Sequence, residues 1–346
     1  MFSLLLYIIN MLKKICLFIL LWMILLWWRE ILFSNWLVVD KSDVGTFVKE
    51  SLVYDPQTYR EHIWHLKTYE HIDGKIMYID EWYEDDKVIV FLHWTPTSSW
   101  LWRNIVSWLV DKWYRVIAPD LLWYGMSDKP VWRQLYTVDQ QGKRIQALLT
   151  SLGIKKYTLW WHDQWSLWMR YLLSNNTDQV ESLIVLNSIV DREWFQAPSI
   201  YWKQNLFTKT ISTLRWSKLL WRVLGYMSFG GWVVDSKKID KNTLEWYLIP
   251  LLSGASLTNY YFISDFNSVY EYINGLESVF QDLDIPTMIL RGKQDNILNF
   301  GQIQRLKTRL SISEKDIHIY PDAKHFIQEE YPQDIVNDIH DFMQIQ

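Results

Sequence analysis

Three residues whose side chains can hydrolyse a substrate through a covalent intermediate follow one another along the chain, Asp163, Asp295 and His325. Each comes just after an apolar run of strand length. A carboxylate can attack carbon to form an ester, a histidine can then activate water, and a second carboxylate can orient that histidine. In open sheets of parallel strands, active-site groups follow the carboxyl ends of strands, in the order nucleophile, acid, histidine. The sequence therefore predicts Asp163 as nucleophile, Asp295 as acid and His325 as base.

The oxyanion formed when such an ester is hydrolysed needs backbone N–H donors. The predicted donors are the backbone N–H groups of Thr95 and of Gln164. Gln164 is the residue directly after Asp163. Taken singly, an aspartate at a strand end is commonly a helix cap, and a lone histidine is commonly structural. The order of the three residues after three strand-like runs is what favours catalysis.

The runs that would position these residues alternate between strand and helix patterns. Continuous apolar runs of strand length occur at 88–93, 115–119, 157–161, 183–187, 287–291 and 316–320. Stretches with helical periodicity lie between or after them, at 102–110, 138–152, 166–173, 301–310 and 332–342. Before them, 64–70 and 75–80 are β-like and flank a turn signal at Asp73-Gly74. This alternation predicts an α/β protein with a doubly wound, mostly parallel sheet.

The strand rhythm stops between residues 189 and 281, which predicts an inserted helical lid. The predicted organisation is an apolar leader at 1–39, a polar linker at 40–60, a first core part at 61–188, the lid at 189–281 and a second core part at 282–346.

The leader is the predicted contact with a lipid bilayer. Residues 15–28 form an apolar run that follows Lys13 and Lys14 and would span about 21 Å of a roughly 30 Å hydrocarbon core. Continued by the apolar residues after it, this run predicts a single-pass, membrane-anchored protein. A cleaved signal segment and a buried extension are the alternatives, and the side of the membrane is left open.

Composition excludes several classes of function. With 35 basic and 39 acidic residues and a net charge of -4, the chain lacks the basic footprint of a nucleic-acid-binding protein. The single cysteine, Cys16, lies in the leader, which excludes an intrachain disulfide. No metal-binding cluster or phosphate-binding glycine loop is visible, so no cofactor and no metal are expected, and the oligomeric state is left open.

Four segments give the chain a resemblance to a known family. These are Val88 to Arg103, Arg115 to Pro130, His162-Asp163 and Asp322 to Glu330. They are similar to the haloalkane dehalogenase and epoxide hydrolase branch of the α/β-hydrolase superfamily. The resemblance covers about residues 63 to 346 and is weakest in the lid. It implies an α/β-hydrolase fold with a helical lid and places the nucleophile, acid and histidine of that branch at the three residues named above.

The resemblance also implies a small apolar organic substrate. Dehalogenases usually hold the halide with a tryptophan directly after the nucleophile and often with an asparagine, where this chain has Gln164 and Thr95. Epoxide hydrolases protonate the opening ring with lid tyrosines, and 259–261 resembles their asparagine-aromatic-tyrosine stretch. We therefore expect epoxide opening first and carbon–halogen hydrolysis as the alternative. The candidate substrate-side residues are Tyr261, Tyr201, Tyr247 and Trp102.

Tryptophan is overused and glycine is scarce. The chain has 23 tryptophans and 12 glycines, whereas average usage predicts roughly 24 glycines. The resembling family typically has glycine at the positions of Trp94, Trp113, Trp123, Trp161, Trp165 and Trp168. We hypothesise that UGA codons for glycine were translated as tryptophan. The alternative is a genuinely tryptophan-rich, catalytically inactive membrane-anchored binding protein on the same fold.

Overall fold

The structure of the protein is a computed structural model. It describes residues 11, 14, 17, 20–22, 62, 65–83, 87–94, 97–130, 135–163, 166–191, 229, 231–239, 241–250, 273, 275, 276, 278–281 and 283–345.

The described residues form one sheet of eight strands, in the order β1-β2-β4-β3-β5-β6-β7-β8. The strands are Leu66–His71, Gly74–Glu81, Lys87–Leu92, Tyr114–Pro119, Tyr157–Asp163, Val180–Ser188, Thr287–Gly292 and Ile317–Tyr320. The first two strands pair antiparallel, as do β2 and β4, and the other pairs are parallel. Every predicted strand is present, and the predicted doubly wound, mostly parallel sheet is confirmed.

The predicted hairpin turn lies one residue earlier than expected. His71 pairs with Gly74, so the two loop residues are Ile72 and Asp73. Gly74 has a φ of 142°, and a Cβ on it would lie 3.0 Å from the Cβ of Asp128. The glycine is therefore required as the first residue of β2, where the strand passes close to another loop.

The described residues form seven α-helices. In chain order, α1 to α7 are Arg103–Val110, Val138–Ser151, Ser166–Asn175, Lys241–Pro250, Gly301–Arg309, Ile327–Glu330 and Pro332–Ile345. The central strands are buried almost throughout, since β5 and β7 contain only buried residues. This is the pattern of strands covered on both faces, and it explains why their sequences are continuous apolar runs rather than alternating ones.

Helices α2 and α3 approach closely at Gly142. A Cβ on this residue would lie 2.4 Å from the Cβ of Tyr171. Only glycine allows this approach, which brings α3 against its neighbour directly after β5. The start of α3 matters for the site, because α3 begins three residues after Asp163.

The prediction of a membrane-anchored protein is wrong. No helix in the described part of the chain is long and apolar enough to cross a bilayer. Of the predicted leader only residues 11, 14, 17 and 20–22 are described, and the predicted linker at 40–60 lies outside the described residues. Most of the predicted lid lies outside them as well, so its limits stay a prediction.

Candidate active site

Asp163 is the last residue of β5 and lies at the turn into α3. Its φ is +58°, and only 4% of its surface is exposed. The left-handed backbone region is uncommon for residues other than glycine, and strain of this kind is concentrated at functional sites. A strained strand-to-helix turn that presents a reactive side chain at the end of a sheet is the geometry of a nucleophile elbow.

His325 lies between β8 and α6, and its ring reaches both predicted carboxylates. The imidazole is fully buried, with Nε2 at 3.7 Å from Asp163 Oδ2 and Nδ1 at 3.0 Å from Asp295 Oδ2. The structure thus brings together the three residues that the sequence singled out. They come from the carboxyl ends of β5, β7 and β8, as expected for an open parallel sheet.

The two carboxylates favour the protonated form of His325. Burial by itself lowers the pKa of this histidine, but the charge of Asp295 and the nearby Asp163 carboxylate outweigh it and raise the pKa from 6.5 to about 9. A resting site with charged Asp163 therefore holds an imidazolium at neutral pH. If Asp163 became a neutral ester, one of the two stabilising charges would vanish, and His325 would become a better proton acceptor.

Asp295 is held in place from several sides. Its Oδ2 accepts from Arg291 Nη1 at 2.7 Å, and its Oδ1 accepts from the backbone N–H of Ile297 at 2.8 Å. Burial would raise the pKa of Asp295, but the charges of His325 and Arg291, together with the Ile297 N–H, lower it below its usual value. The acid is thus charged at neutral pH and can orient the Nδ1–H of His325.

The backbone of His325 is held by two further side chains. Its carbonyl oxygen accepts from His162 Nε2 at 3.0 Å and from Asn187 Nδ2 at 2.9 Å. Burial, first, and then the charges of His325 and Arg291 lower the pKa of His162 well below 6.5, so this ring is neutral. Asn187 is the penultimate residue of β6, has a φ of 38° and also accepts from the Gly292 N–H at 3.1 Å. It therefore links the loop of the base to the end of the acid's strand.

Sequence reasoning assigned no role to His162, Asn187 or Arg291. The available signal was weak: each is a polar residue at the end of an otherwise apolar strand run. Polar residues at the carboxyl ends of neighbouring parallel strands converge on one edge of the sheet.

Aromatic rings surround the imidazole of His325. Trp94 lies edge-on to it at 5.0 Å, and Trp94 in turn contacts Trp232 at 4.8 Å and Phe326 at 5.6 Å, between ring centroids. The indole nitrogen of Trp94 is buried and has no hydrogen-bond partner. Apolar surroundings of this kind suit an apolar ligand and strengthen the electrostatics of the triad by excluding water.

The structure places two of the other candidate residues. Tyr247, in α4, is buried, and its hydroxyl donates to Glu329, which also forms a bidentate pair with Arg103 at 2.7 Å for both contacts. The Tyr247 proton is therefore engaged in a buried ion-pair cluster. Trp102 is fully buried and packs against Trp160 at 5.0 Å between ring centroids. The remaining candidates, Thr95, Gln164, Tyr201 and Tyr261, lie outside the described residues.

Three of the described tryptophans at suspected glycine positions differ in backbone conformation. Trp113 and Trp123 have φ angles of 65° and 75°, a conformation that a bulky side chain rarely adopts. Trp161, in contrast, lies in the extended backbone of β5, is fully buried and stacks on Phe280 at 6.5 Å. The strand thus accommodates an indole at this position, and Trp165 lies outside the described residues. The codon hypothesis stays a prediction.

Among the described residues, no three histidine, cysteine, aspartate or glutamate side chains are grouped so as to hold a metal ion.

Comparison with known proteins gives the same fold. The model of the α/β-hydrolase fold family matches residues 87–209. An ancestral haloalkane dehalogenase of known structure superposes with a TM-score of 0.68 at 20% identity, covering 81% of this chain and 98% of that one. The haloalkane dehalogenase DbeA from Bradyrhizobium elkani gives a TM-score of 0.67 at 17% identity.

Two groups of sequence relatives are informative. The cis-3-alkyl-4-alkyloxetan-2-one decarboxylase of Shewanella oneidensis is 26% identical over 288 residues, covering 78% of this chain and 85% of that protein. The haloalkane dehalogenase of Mycobacterium marinum is 32% identical over 127 residues, which is 37% of this chain and 43% of that protein. These relatives are enzymes, which supports the predicted hydrolase over the inactive binding protein. Topology, family match and relatives together show an enzyme of hydrolase type with the α/β-hydrolase fold, similar in sequence and in structure to haloalkane dehalogenases.

Proposed function

We propose that the protein hydrolyses the carbon–halogen bond of small apolar haloalkanes through an alkyl ester on Asp163. The observation that carries this proposal is the position of His325, between a carboxylate at 3.7 Å on Nε2 and a second carboxylate at 3.0 Å on Nδ1. Asp163 sits at a strained turn at the end of β5, whereas Asp295 is fixed by Arg291 and by the backbone N–H of Ile297. This asymmetry supports Asp163 as the nucleophile and Asp295 as the orienting acid.

The first step is a displacement at saturated carbon. An Asp163 oxygen forms the new bond to carbon as the carbon–halogen bond breaks, and the halide leaves with the bonding electron pair. In the second step His325 Nε2 removes a proton from water, and the hydroxide attacks the ester carbonyl carbon. The tetrahedral intermediate then collapses. The leaving alkoxide takes the remaining proton of the attacking oxygen and departs as the alcohol, which regenerates the Asp163 carboxylate. His325 keeps the proton that it took from water, as in the resting site, and the proton that it held before ester formation passes to solvent.

The relatives favour a halide over an epoxide. Haloalkane dehalogenases occur among both the sequence relatives and the structural neighbours. The expectation of epoxide opening depended on Tyr261, which lies outside the described residues, and on Tyr247, whose hydroxyl is engaged by Glu329. The two halide-contact positions, Thr95 and Gln164, differ from those of most dehalogenases. Halide affinity is therefore expected to be weak.

An oxetan-2-one is the second candidate substrate, because the relative named for it matches 85% of its own length to this chain. This four-membered cyclic ester has a saturated carbon bonded to the ring oxygen. The same displacement by Asp163 would open the strained ring and release a carboxylate as leaving group. Both substrates thus need the same nucleophile and differ in the leaving group.

Trapping of the ester tests the proposal. His325→Ala protein would be incubated with 1-bromobutane, with a cis-3,4-dialkyloxetan-2-one and with 1,2-epoxyhexane, and the peptide containing Asp163 would be analysed by mass spectrometry. We expect a butyl ester on Asp163 with stoichiometric bromide release and no label in Asp163→Asn. His65→Ala, which alters an exposed histidine, is the matched control and should turn over. Label from the oxetanone alone would support the second candidate, and absence of label with all three would overturn the displacement mechanism.

A further inference from the structure

Arg291 is a buried cation that the mechanism above does not use. It is the penultimate residue of β7 and is only 2% exposed. Its Nη1 donates to Asp295 Oδ2 at 2.7 Å, and the same oxygen accepts from His325 Nδ1 at 3.0 Å. The base and the arginine therefore share one oxygen of the acid.

The rest of the guanidinium holds the loop that carries the acid. Nη2 donates to the carbonyl oxygens of Asp295, at 3.4 Å, and of Leu298. Nη1 also reaches Asn187 Oδ1 at 3.3 Å, and the amide of Asn187 donates to the His325 carbonyl. A single planar cation thus fixes the acid, its loop and, through Asn187, the loop of the base.

The charges in this buried cluster can be followed through the reaction. The ionisable groups that face His325 are Asp163 on β5, His162 beside it, and Asp295 with Arg291 on β7 and its loop. In the resting site two carboxylates balance Arg291 and protonated His325, with His162 neutral. When Asp163 is esterified, Asp295 and Arg291 balance each other, and the site is neutral only if His325 has lost its proton.

Without Arg291 the balance changes in the ester state. Asp295 would then be the only remaining charge, and protonated His325 would be its counter-ion. Because an unbalanced charge is costly in a buried site, the histidine would keep its proton and could not activate water. Arg291 has no such effect on the first step, which requires only the Asp163 carboxylate.

We propose that Arg291 is a positioning and charge-balancing residue that makes His325 a neutral base once Asp163 is esterified. This inference rests on the proposed ester mechanism. It assigns the arginine to the hydrolytic half-reaction and not to ester formation. In Arg291→Met we expect rapid release of the first equivalent of bromide from 1-bromobutane, followed by ester hydrolysis slowed at least about tenfold at pH 7.5, since one pH unit changes the neutral fraction tenfold.

The pH profile separates this role from simple loss of structure. The pH midpoint for ester hydrolysis in Arg291→Met should rise by about one pH unit or more. In Arg291→Lys, which keeps the positive charge, the midpoint should stay close to the wild-type value. Arg305→Gln, on the exposed side of α5, is the control and should behave as wild type. An unchanged midpoint in Arg291→Met, or equal slowing of bromide release and hydrolysis, would overturn the proposal.

A measurement without substrate keeps the inference distinct from the proposed function. Asp163→Asn serves as a neutral mimic of the ester. The ring nitrogens of His325 can be titrated by NMR in this variant and in the double variants that also carry Arg291→Lys or Arg291→Met. The midpoint should rise only when the positive charge is removed. If no substrate forms an ester, the proposed mechanism fails, but this titration still tests the role of Arg291. If the His325 midpoint is unchanged by Arg291→Met, the charge-balancing role is overturned even if the ester mechanism holds. If Arg291→Met does not fold, Arg291→Lys decides, since its midpoint should stay within about half a unit of that with arginine.

Discussion

Removal of the Asp163 charge should lower the pKa of His325, which is the change that ester formation is proposed to produce. Asp163→Asn keeps the size of the side chain and removes the charge. The two charged atoms are 3.7 Å apart in the wild-type site. At an effective dielectric constant of about 20, their interaction is about 4 kcal/mol, or about 3 pKa units.

Part of this change will be offset by reorientation of neighbouring dipoles, and a charge this close commonly shifts a pKa by about 1–3 units. The pKa of His325 is about 9 in the wild-type site, so we expect it to fall by about 2 units in Asp163→Asn. Histidine-selective ¹⁵N NMR titration of both proteins measures the shift, with the resonance assigned by its loss in His325→Ala.

Asp284→Asn removes an exposed carboxylate and is the matched control. Its His325 titration should coincide with that of the wild type. A midpoint in Asp163→Asn within about half a unit of the wild-type value would refute the electrostatic coupling, and with it the argument that esterification converts His325 into a base.

Three further predictions concern stability. Trp113 is 65% exposed with a φ of 65°, so Trp113→Gly should raise the free energy of unfolding by about 0.5–1 kcal/mol in urea titrations through relief of backbone strain. Glu329→Gln should lower it by about 3 kcal/mol in the same assay, because the partly buried Arg103 loses its carboxylate. His325 contributes stability that is complete below its unfolded pKa of about 6.5 and is lost as the pH rises through about 9. Urea titrations across this range should show a loss on the order of 3 kcal/mol that is absent in His325→Gln.

Each of these predictions has a contrary result. A less stable Trp113→Gly would mean that the contact of Trp113 with Tyr83, 5.4 Å between ring centroids, outweighs the strain. Glu329→Gln as stable as wild type would show that the cluster with Arg103 does not stabilise the fold. A wild-type protein that gains stability from pH 6.5 to 9 would contradict the raised pKa of His325.

The membrane prediction shows a limit of local hydropathy. An apolar run is necessary for a spanning helix, but it does not establish one, and no described helix meets the requirements of length and hydropathy. The hypothesis that UGA codons for glycine were translated as tryptophan has a similar limit. The strained φ of Trp123 and the buried, extended position of Trp161 describe the backbone and do not identify the codon.

The sequence by itself predicted the strands, the helices between them and the order of Asp163, Asp295 and His325. A strand that is buried on both faces has a continuous run of apolar residues in the sequence. A half-buried helix has apolar residues with a period of 3.6, and both patterns are local. The tertiary structure alone decided how the strand ends meet. Asn187 and His162 reach the loop of the base only because β5 and β6 lie beside β7 and β8 in the sheet. Their contacts join residues more than 100 positions apart, which no local pattern records, whereas Arg291 and Asp295 are only four residues apart.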